Sequence, residues 1–272
     1  MKCALIQNPI YASFDKTLKK IDQLIQECIK AQAEVIILPE LWNTFYENSC
    51  IKESLRYTSV SKQYFIERSK QFPIYFIAGS IATEKENKIY NTCSVYFKGK
   101  EIVSYDKTHL FEVHSTHTSY QEKDVFSPGN TLQTFQIGNV VCGLEICYDL
   151  RFPELTRLLA KKGIQILFCP SAFNRQVGPI HWKPLLQTRA LENEIFVVGT
   201  NPAPYTYKSY SSYGHSMVVD PFGKPILEMI EEEWAICNLH IEQVNRTRKK
   251  MPFWQIRRTD LYEIEEKKYE KH

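Results

Sequence analysis

The sequence contains no run of about 18 apolar residues, which is the length that a transmembrane helix requires. Its N-terminal segment also lacks the apolar core of a signal peptide. Neither sign of charge is in excess, because 34 basic and 31 acidic residues leave a net charge of +3, so no general attraction to nucleic acid or membranes is implied. These absences predict a cytoplasmic protein without a membrane or nucleic-acid partner.

Closely spaced cysteine pairs are missing as well. The eight cysteines include no Cys-x-x-Cys pair, and most of them lie inside apolar, strand-like runs. A chain without an export signal is expected to keep its thiols reduced. We therefore expect eight free cysteines rather than a disulfide framework.

The overall composition is that of an ordinary globular protein, 43% hydrophobic and 24% charged over 272 residues. Strand-like and helix-like segments alternate in each half of the chain, and no linker or low-complexity segment interrupts them. Two β-rich layers with helices outside form an α-β-β-α sandwich. The sequence thus predicts a single α/β domain spanning residues 1–272, large enough to bury a sizeable core.

Individual elements follow from the spacing of apolar residues. Ser13 is a suitable N-cap for a helix over 14–31, whose apolar positions recur at intervals of three and four. Residues 112–130 are polar and predict a long loop, which is often functional in a compact domain. Further helices are predicted over 60–70, 153–163 and 182–193, and strands over 2–8, 35–38, 74–80, 91–97, 102–105, 131–136, 140–146, 165–169, 195–200, 214–219, 225–229 and 234–239.

The clearest local signal surrounds Cys147. The strand predicted over 140–146 leads directly into this residue, and Pro153 suits the first turn of the next helix. A sharp strand-to-helix passage can hold a side chain at the carboxyl edge of a sheet, beside free backbone N–H groups. A thiol in that place can become a nucleophile, although an isolated cysteine is more often a core residue.

Two other strand ends carry charged residues, Glu40 after 35–38 and Lys107 after 102–105. Alone, each is typical of a solvated surface group. At one sheet edge with Cys147, however, they would equip an amide hydrolase. Glu40 could accept the thiol proton and return it to the leaving amine, while Lys107 and the backbone N–H of Tyr148 could stabilise the oxyanion.

These segments resemble the three signatures of the nitrilase, or carbon–nitrogen hydrolase, superfamily: Leu-Pro-Glu40, Tyr-Asp-Lys107-Thr-His-Leu-Phe and Gly-Leu-Glu-Ile-Cys147-Tyr-Asp-Leu-Arg-Phe-Pro-Glu. The resemblance implies a catalytic triad of Glu40, Lys107 and Cys147 that needs no cofactor or metal. It also implies a second active-site carboxylate, Glu122, that orients Lys107 and the substrate amide. Homodimers in which two sandwiches stack are common in the family, and residues 241–272 would then lie at the subunit interface.

The resemblance extends over nearly the whole chain and is closest to the branch that contains omega-amidases. Residues 41–46 and 173–174 carry this likeness. It implies hydrolysis of 2-oxoglutaramate or 2-oxosuccinamate to a 2-oxo-dicarboxylate and ammonia. Tyr46, Tyr148 and Phe173 are the candidate substrate-binding residues.

Other enzymes of the superfamily remain open. Residues 214–220 fit deaminated-glutathione amidases equally well, and no residue excludes an N-carbamoyl-amine hydrolase or a nitrilase. A glutamine-dependent synthetase would need a phosphate loop, and no Gly-x-x-x-x-Gly-Lys pattern is present. A lipoprotein acyltransferase would need membrane spans. A catalytically dead scaffold would tolerate loss of a triad member, whereas all three are present.

Two further patterns are weaker. His114-x-x-His117 has the spacing of metal ligands, but no third ligand is near it in the sequence. The basic clusters at 246–250 and 257–258 favour a solvated tail or ion pairs between subunits over a nucleic-acid site. We therefore expect no metal.

Overall fold

Two six-stranded sheets face each other in the computed structural model, which describes residues 1–114 and 119–267. The first sheet has the strand order β16-β1-β2-β3-β4-β5 and the second the order β15-β14-β11-β10-β9-β8. Within the described ranges the strands are β1 (Lys2–Ile6), β2 (Val35–Ile37), β3 (Tyr75–Lys85), β4 (Lys88–Phe97), β5 (Lys100–Asp106), β6 (Glu112–His114), β7 (Ser119–Gln121), β8 (Thr134–Ile137), β9 (Val140–Leu144), β10 (Ile166–Pro170), β11 (Phe196–Thr200), β12 (Thr206–Tyr207), β13 (Tyr210–Ser211), β14 (Met217–Val219), β15 (Pro225–Glu228) and β16 (Trp234–Asn238).

Helices cover the outer face of each sheet. The first sheet packs on α1 and α3 through one apolar cluster, and the second sheet packs on α4 and α5 through the cluster that also fills the space between the sheets. The α-helices of the described residues are α1 (Phe14–Lys30), α2 (Asn48–Ser54), α3 (Thr58–Gln71), α4 (Pro153–Lys161), α5 (Gly178–Asn193) and α6 (Glu242–Lys250). The layers therefore run α-β-β-α, as predicted.

Local sequence explains the helix contacts. Ser13 caps α1 by accepting a hydrogen bond from the backbone N–H of Lys16 at 3.4 Å. On the other side of the molecule, Trp182 of α5 lies against Gly199 of β11, where an added Cβ would come within 2.6 Å of the indole. Glycine at this position lets helix and sheet approach closely. No helix in the described ranges is both long and apolar enough to cross a membrane.

The central strands of both sheets are parallel, β1 to β3 in the first and β9 to β11 in the second. Parallel strands bring their carboxyl ends to one edge. At this edge the sheets are hydrogen-bonded to each other, because Thr200 Oγ1 donates to Leu38 O at 3.0 Å and Glu40 N donates to Ser171 O at 3.2 Å. The strand ends that carry Glu40 and Cys147 are thus held on one rim.

Most predicted elements are confirmed, including α1, the two strands before Cys147 and the helix that begins at Pro153. The prediction that 112–130 lacks regular structure is wrong. In the described parts of this segment, β6 pairs with β7 and residues 122–124 form a 3₁₀ turn. Three elements were not predicted, namely α2, the β12–β13 hairpin and α6. They are short or highly charged, and α6 buries only Val244, so no apolar period marks them.

Candidate active site

Four predicted side chains converge at the rim where the sheets meet. Lys107 Nζ lies 2.7 Å from Glu40 Oε1 and 2.9 Å from Glu122 Oε2. Cys147 and Glu40 lie close enough for each side chain to influence the pKa of the other. Glu40, Lys107 and Glu122 are fully buried, and Cys147 is 8% exposed. Residues that are far apart in sequence therefore form one buried cluster, as the sequence analysis expected.

Glu40 uses one oxygen for structure and leaves the other available. Its Oε1 accepts hydrogen bonds from Lys107 Nζ at 2.7 Å and from Asn91 Nδ2 at 2.8 Å. Its Oε2 is buried and has no hydrogen-bond partner among the described residues. A carboxylate held in this way can accept a proton without giving up its positioning contacts.

The Lys107 backbone is fixed on both sides at the end of β5. Its N–H donates to Asn91 O at 2.9 Å, and its carbonyl accepts from Gly129 N at 2.8 Å. Gly129 is required there, because an added Cβ would come within 2.1 Å of Asp106 O. The backbone contacts fix where the ammonium group enters the cluster.

Glu122 lies in the 3₁₀ turn that follows β7. Its Oε1 accepts from Lys107 Nζ at 3.0 Å and from the Tyr46 hydroxyl at 2.6 Å. Its Oε2 accepts from the backbone N–H of Phe111 at 2.6 Å. A buried carboxylate with this many donors is a rigid acceptor, so Glu122 can orient Lys107 and Tyr46 together.

Cys147 occupies a strained turn. Its φ of 47° lies in the left-handed region, which a non-glycine residue seldom adopts. It begins a 3₁₀ helix, Cys147–Arg151, between β9 and α4. The predicted strand-to-helix passage is confirmed, and strain of this kind is typical of functional positions.

The charges of the cluster are set by burial and by one another. Burial raises the pKa of the Cys147 thiol, and the nearby Glu40 raises it further, while Lys107 acts in the opposite direction. Burial raises the pKa of Glu40 as well, against the lowering effect of Lys107. For Lys107 burial lowers the pKa, but Glu122 and Glu40 outweigh it and raise the pKa well above its usual value. The resting site therefore pairs a neutral thiol with a firmly charged ammonium group.

A pocket of about 330 Å³, including its open mouth, adjoins this cluster. Cys147 lines it, and so do all three candidate substrate-binding residues, Tyr46, Tyr148 and Phe173. The structure thus places a solvent-connected pocket beside the candidate nucleophile.

The carbon–nitrogen hydrolase family model matches residues 2–249. The chain belongs to this family. The omega-amidase NIT2 of Xenopus tropicalis is 35% identical over 98% of each chain, and the human omega-amidase NIT2 is 34% identical over the same shares. The solved structure of Nit3 from Saccharomyces cerevisiae, described as a branch 10 member of the nitrilase superfamily, is 33% identical. It superposes with a TM-score of 0.82 over 95% of this chain and 96% of that one.

This carbon–nitrogen hydrolase is an enzyme that cleaves an amide C–N bond. The predicted superfamily and its sandwich fold are confirmed by the matched family and the superposed structure.

Sequence reasoning missed several residues that line the pocket of this carbon–nitrogen hydrolase, among them Arg151 and Tyr210. Arg151 lies four residues after Cys147, at the end of the same 3₁₀ helix, and that spacing could have pointed to it. Tyr210 belongs to the β12–β13 hairpin, stacks on Tyr46 with ring centroids 4.9 Å apart and donates from its hydroxyl to Ala172 O at 2.9 Å. Nothing in the sequence around Tyr210 marks this contact.

The weak metal pattern falls partly outside the described residues, because His117 lies there. His114 pairs with Glu112 on an exposed hairpin. In ranges 1–114 and 119–267, no three His, Cys, Asp or Glu side chains are grouped so that they could hold a metal ion.

Proposed function

We propose that this enzyme is an omega-amidase, which hydrolyses the terminal amide of 2-oxoglutaramate or 2-oxosuccinamate to the 2-oxo-dicarboxylate and ammonia. The observation that carries the proposal is the pocket that Cys147 and Arg151 line together, because a short 2-oxo acid amide presents an electrophilic carbon at one end and a carboxylate at the other. The relatives named omega-amidase NIT2, matched over nearly their whole length, support it.

In the first step the Cys147 thiol transfers its proton to Glu40 as its sulfur attacks the amide carbon. Oε2 is the acceptor, because Oε1 is already occupied by Lys107 and Asn91. The C=O electrons move onto oxygen and give a tetrahedral oxyanion. The Lys107 ammonium group and the backbone N–H of Tyr148 stabilise this charge. Stabilisation of this kind is usually the largest single contribution to the rate enhancement.

In the second step the oxyanion collapses and breaks the C–N bond. Protonated Glu40 donates its proton to the departing nitrogen, so ammonia leaves and a thioester remains on Cys147. Glu40, ionised again, removes a proton from water, and the hydroxyl attacks the thioester carbon. The second tetrahedral intermediate collapses and breaks the C–S bond, and the thiolate takes its proton back from Glu40. The product leaves as the carboxylic acid and loses its proton to solvent, which restores the resting site.

Glu122 keeps Lys107 charged and in place. With two carboxylates within 3.0 Å of Nζ, the ammonium form persists through both steps, and the Tyr46 hydroxyl is fixed beside it. Glu122 therefore acts as the orienting carboxylate, and Tyr46 forms part of the substrate wall.

Arg151 is the group that we assign to the far carboxylate of the substrate. Its guanidinium carbon lies 5.6 Å from the ring centroid of Tyr148 and 5.5 Å from that of Phe173, and Nη1 lies 3.2 Å from His181 Nδ1. It forms no ion pair with a carboxylate in the part of the chain that the structure describes, so its charge is available to a ligand. A guanidinium held between aromatic rings is well suited to bind a carboxylate with two hydrogen bonds.

A substrate panel tests this proposal. Ammonia release is measured with 2-oxoglutaramate, deaminated glutathione, an N-carbamoyl amine and a simple nitrile. We expect 2-oxoglutaramate to give the highest kcat/KM. Preference for any other member of the panel would overturn the proposed substrate while leaving the thiol chemistry intact.

The nucleophile is tested separately with Cys147→Ala, which should release no ammonia from any substrate. Cys237→Ala is the matched control, because Cys237 is a half-buried thiol on β16 outside the cluster. It should retain the activity of the parent enzyme. Substantial activity in Cys147→Ala would overturn the mechanism.

A further inference from the structure

Asp149 is a fully buried carboxylate that lies two residues after Cys147 and has no part in the steps above. Its Oδ2 accepts hydrogen bonds from the Tyr105 hydroxyl at 2.7 Å and from the backbone N–H of Ile146 at 3.0 Å. One donor belongs to β5 and the other to the turn that contains Cys147. A single oxygen thus joins the two segments.

The second oxygen adds further contacts to the same segments. Oδ1 accepts from Thr108 Oγ1 at 2.9 Å and from the backbone N–H of His109 at 2.9 Å, and it lies 2.8 Å from His109 Nδ1. Burying an ionised carboxylate is costly unless donors replace its water. Here every lone pair has a donor, so the carboxylate forms a stiff junction.

The donors surround Lys107 in sequence. Tyr105 precedes it, and Thr108 and His109 follow it, so the short segment that carries the ammonium group is tied to Asp149 on both sides. β5 is an edge strand of the first sheet, whereas the Cys147 turn follows β9 of the second sheet. The Asp149 carboxylate therefore connects the two sheets at the rim where the active site lies.

The same side chain closes the turn around Cys147. The backbone N–H of Ile146 donates to Oδ2, while the backbone N–H of Asp149 donates to Ile146 O at 3.1 Å. These two bonds enclose Cys147, whose φ of 47° would relax in a free chain. Loss of the carboxylate would release both the strained turn and the Lys107 segment.

We infer that Asp149 is a positioning residue: its carboxylate fixes the distance between Lys107 and Cys147 by binding the backbone and side chains beside each. The inference rests on the proposed roles of Lys107 and Cys147. We expect the distance to affect the transition state, because the Lys107 ammonium group must lie beside the oxyanion that forms when the Cys147 sulfur attacks the amide carbon. A displacement of about 1 Å between such groups can cost on the order of 100-fold in rate.

Asp149→Asn is the first test. The amide group keeps the size of the side chain but must point its NH₂ at one of two backbone N–H groups, Ile146 or His109. We expect kcat per folded molecule to fall about 100-fold while KM for 2-oxoglutaramate changes less than about threefold. The folded fraction is measured by circular dichroism and thermal unfolding, so that a loss of folded protein is separated from a loss of catalysis.

Tyr105→Phe and Thr108→Val probe the junction without altering the Cys147 turn. Each removes one hydroxyl donor on the Lys107 side and nearly preserves volume. We expect each to lower kcat about tenfold at nearly unchanged KM, and they decide the question if Asp149→Asn does not fold. Glu145→Gln is the matched control, because Glu145 is an equally buried carboxyl that precedes Cys147 but bonds to Thr156 instead. Its kcat should stay within about twofold of the parent enzyme.

Two results would overturn the inference. One is a kcat within twofold of the parent in folded Tyr105→Phe and Thr108→Val. The other is a loss of activity in Asp149→Asn that only follows the unfolded fraction or is confined to KM. Full activity in Cys147→Ala would instead overturn the proposed mechanism, so the two failures are distinguishable.

Discussion

Lys107 Nζ lies 2.7 Å from Glu40 Oε1, and neither side chain has any surface exposed to solvent. A buried ion pair is tolerated only when further hydrogen bonds compensate for the lost water, and Asn91 and Glu122 provide them here. The pair leaves Glu40 Oε2 without a hydrogen-bond partner among the described residues. The Lys107 ammonium group is therefore hydrogen-bonded to two carboxylates, whereas Glu40 Oε2, the oxygen that the proposed chemistry needs, remains able to accept a proton.

The first prediction concerns the acid limb of the activity profile. Burial raises the pKa of Glu40, with a further contribution from the Glu122 charge, against the effect of Lys107. A general base works only when ionised, so activity should be lost as the pH falls through this raised pKa. We expect kcat/KM for 2-oxoglutaramate to decline at a midpoint above pH 4.5, the ordinary value for glutamate. A midpoint at or below that value would contradict Glu40 as the base.

The second prediction concerns recognition of the substrate carboxylate by Arg151. A hydrogen bond between charged groups contributes about 1.5–3 kcal/mol, and the upper end of this range corresponds to roughly 100-fold in binding. Arg151→Met should therefore raise KM for 2-oxoglutaramate by about that factor, while kcat/KM for a short neutral amide changes less than about threefold. Steady-state kinetics with both substrates measures the difference.

Lys183→Met provides the control for Arg151→Met. Lys183 is a cation on α5 that pairs with Glu228 at 2.9 Å and does not line the pocket. Its removal should leave both substrates unaffected. Equal losses on the charged and the neutral substrate in Arg151→Met would mean that Arg151 supports the pocket wall rather than binding the carboxylate.

Apolar periodicity and strand ends were enough to predict the layers and three of the four clustered residues. The signal was strong because α1 repeats its apolar face over several turns, and because Glu40, Lys107 and Cys147 each lie within three residues of the end of a strand. Strands that run in the same direction bring such residues to a common edge, and β5 has the direction of β3 because both pair antiparallel with β4. This part of the site is a consequence of local pattern and topology.

The remaining parts depend on contacts between distant segments. Glu122 lies in a segment that looked unstructured, and its role requires Lys107 and Tyr46 to arrive from other elements. Tyr210 reaches the pocket through a hairpin whose strands have only two residues each, too few to show alternation. Asp149 appears in the sequence as one more residue of a helix start, and only the fold brings the β5 donors to it.

The third prediction is that residues 241–272 form the interface between two subunits. Residues 268–272 lie outside the described part of the chain. In 241–267 exposed apolar side chains are concentrated, with Ile256 68% and Leu261 72% exposed, and clusters of this kind mark association sites. We expect a homodimer in light scattering, weakened by Leu261→Asp. Val60→Asp, an exposed apolar position on α3, should leave it intact. A monomer at micromolar concentration would contradict the interface.

The fourth prediction concerns stability, through the buried Glu145. Burial raises the pKa of this carboxyl from 4.5 to about 8, and the hydrogen bond from Thr156 only partly opposes it. Below pH 4.5 both the folded and the unfolded chain hold the proton, so no penalty arises. As the pH rises toward 8, only the folded chain keeps the proton, and stability falls by up to about 5 kcal/mol.

Glu145→Gln removes this titration while keeping an oxygen that can accept from Thr156 Oγ1, now 2.6 Å from Glu145 Oε1. The unfolding temperatures of parent and variant should therefore be similar near pH 4.5 and diverge with rising pH, the variant being the more stable at pH 8 and above. Glu154→Gln, an exposed carboxyl at the start of α4, should run parallel to the parent throughout. If the difference between Glu145→Gln and the parent is constant from pH 5 to 9, the Glu145 carboxyl is ionised in the fold and this prediction is wrong.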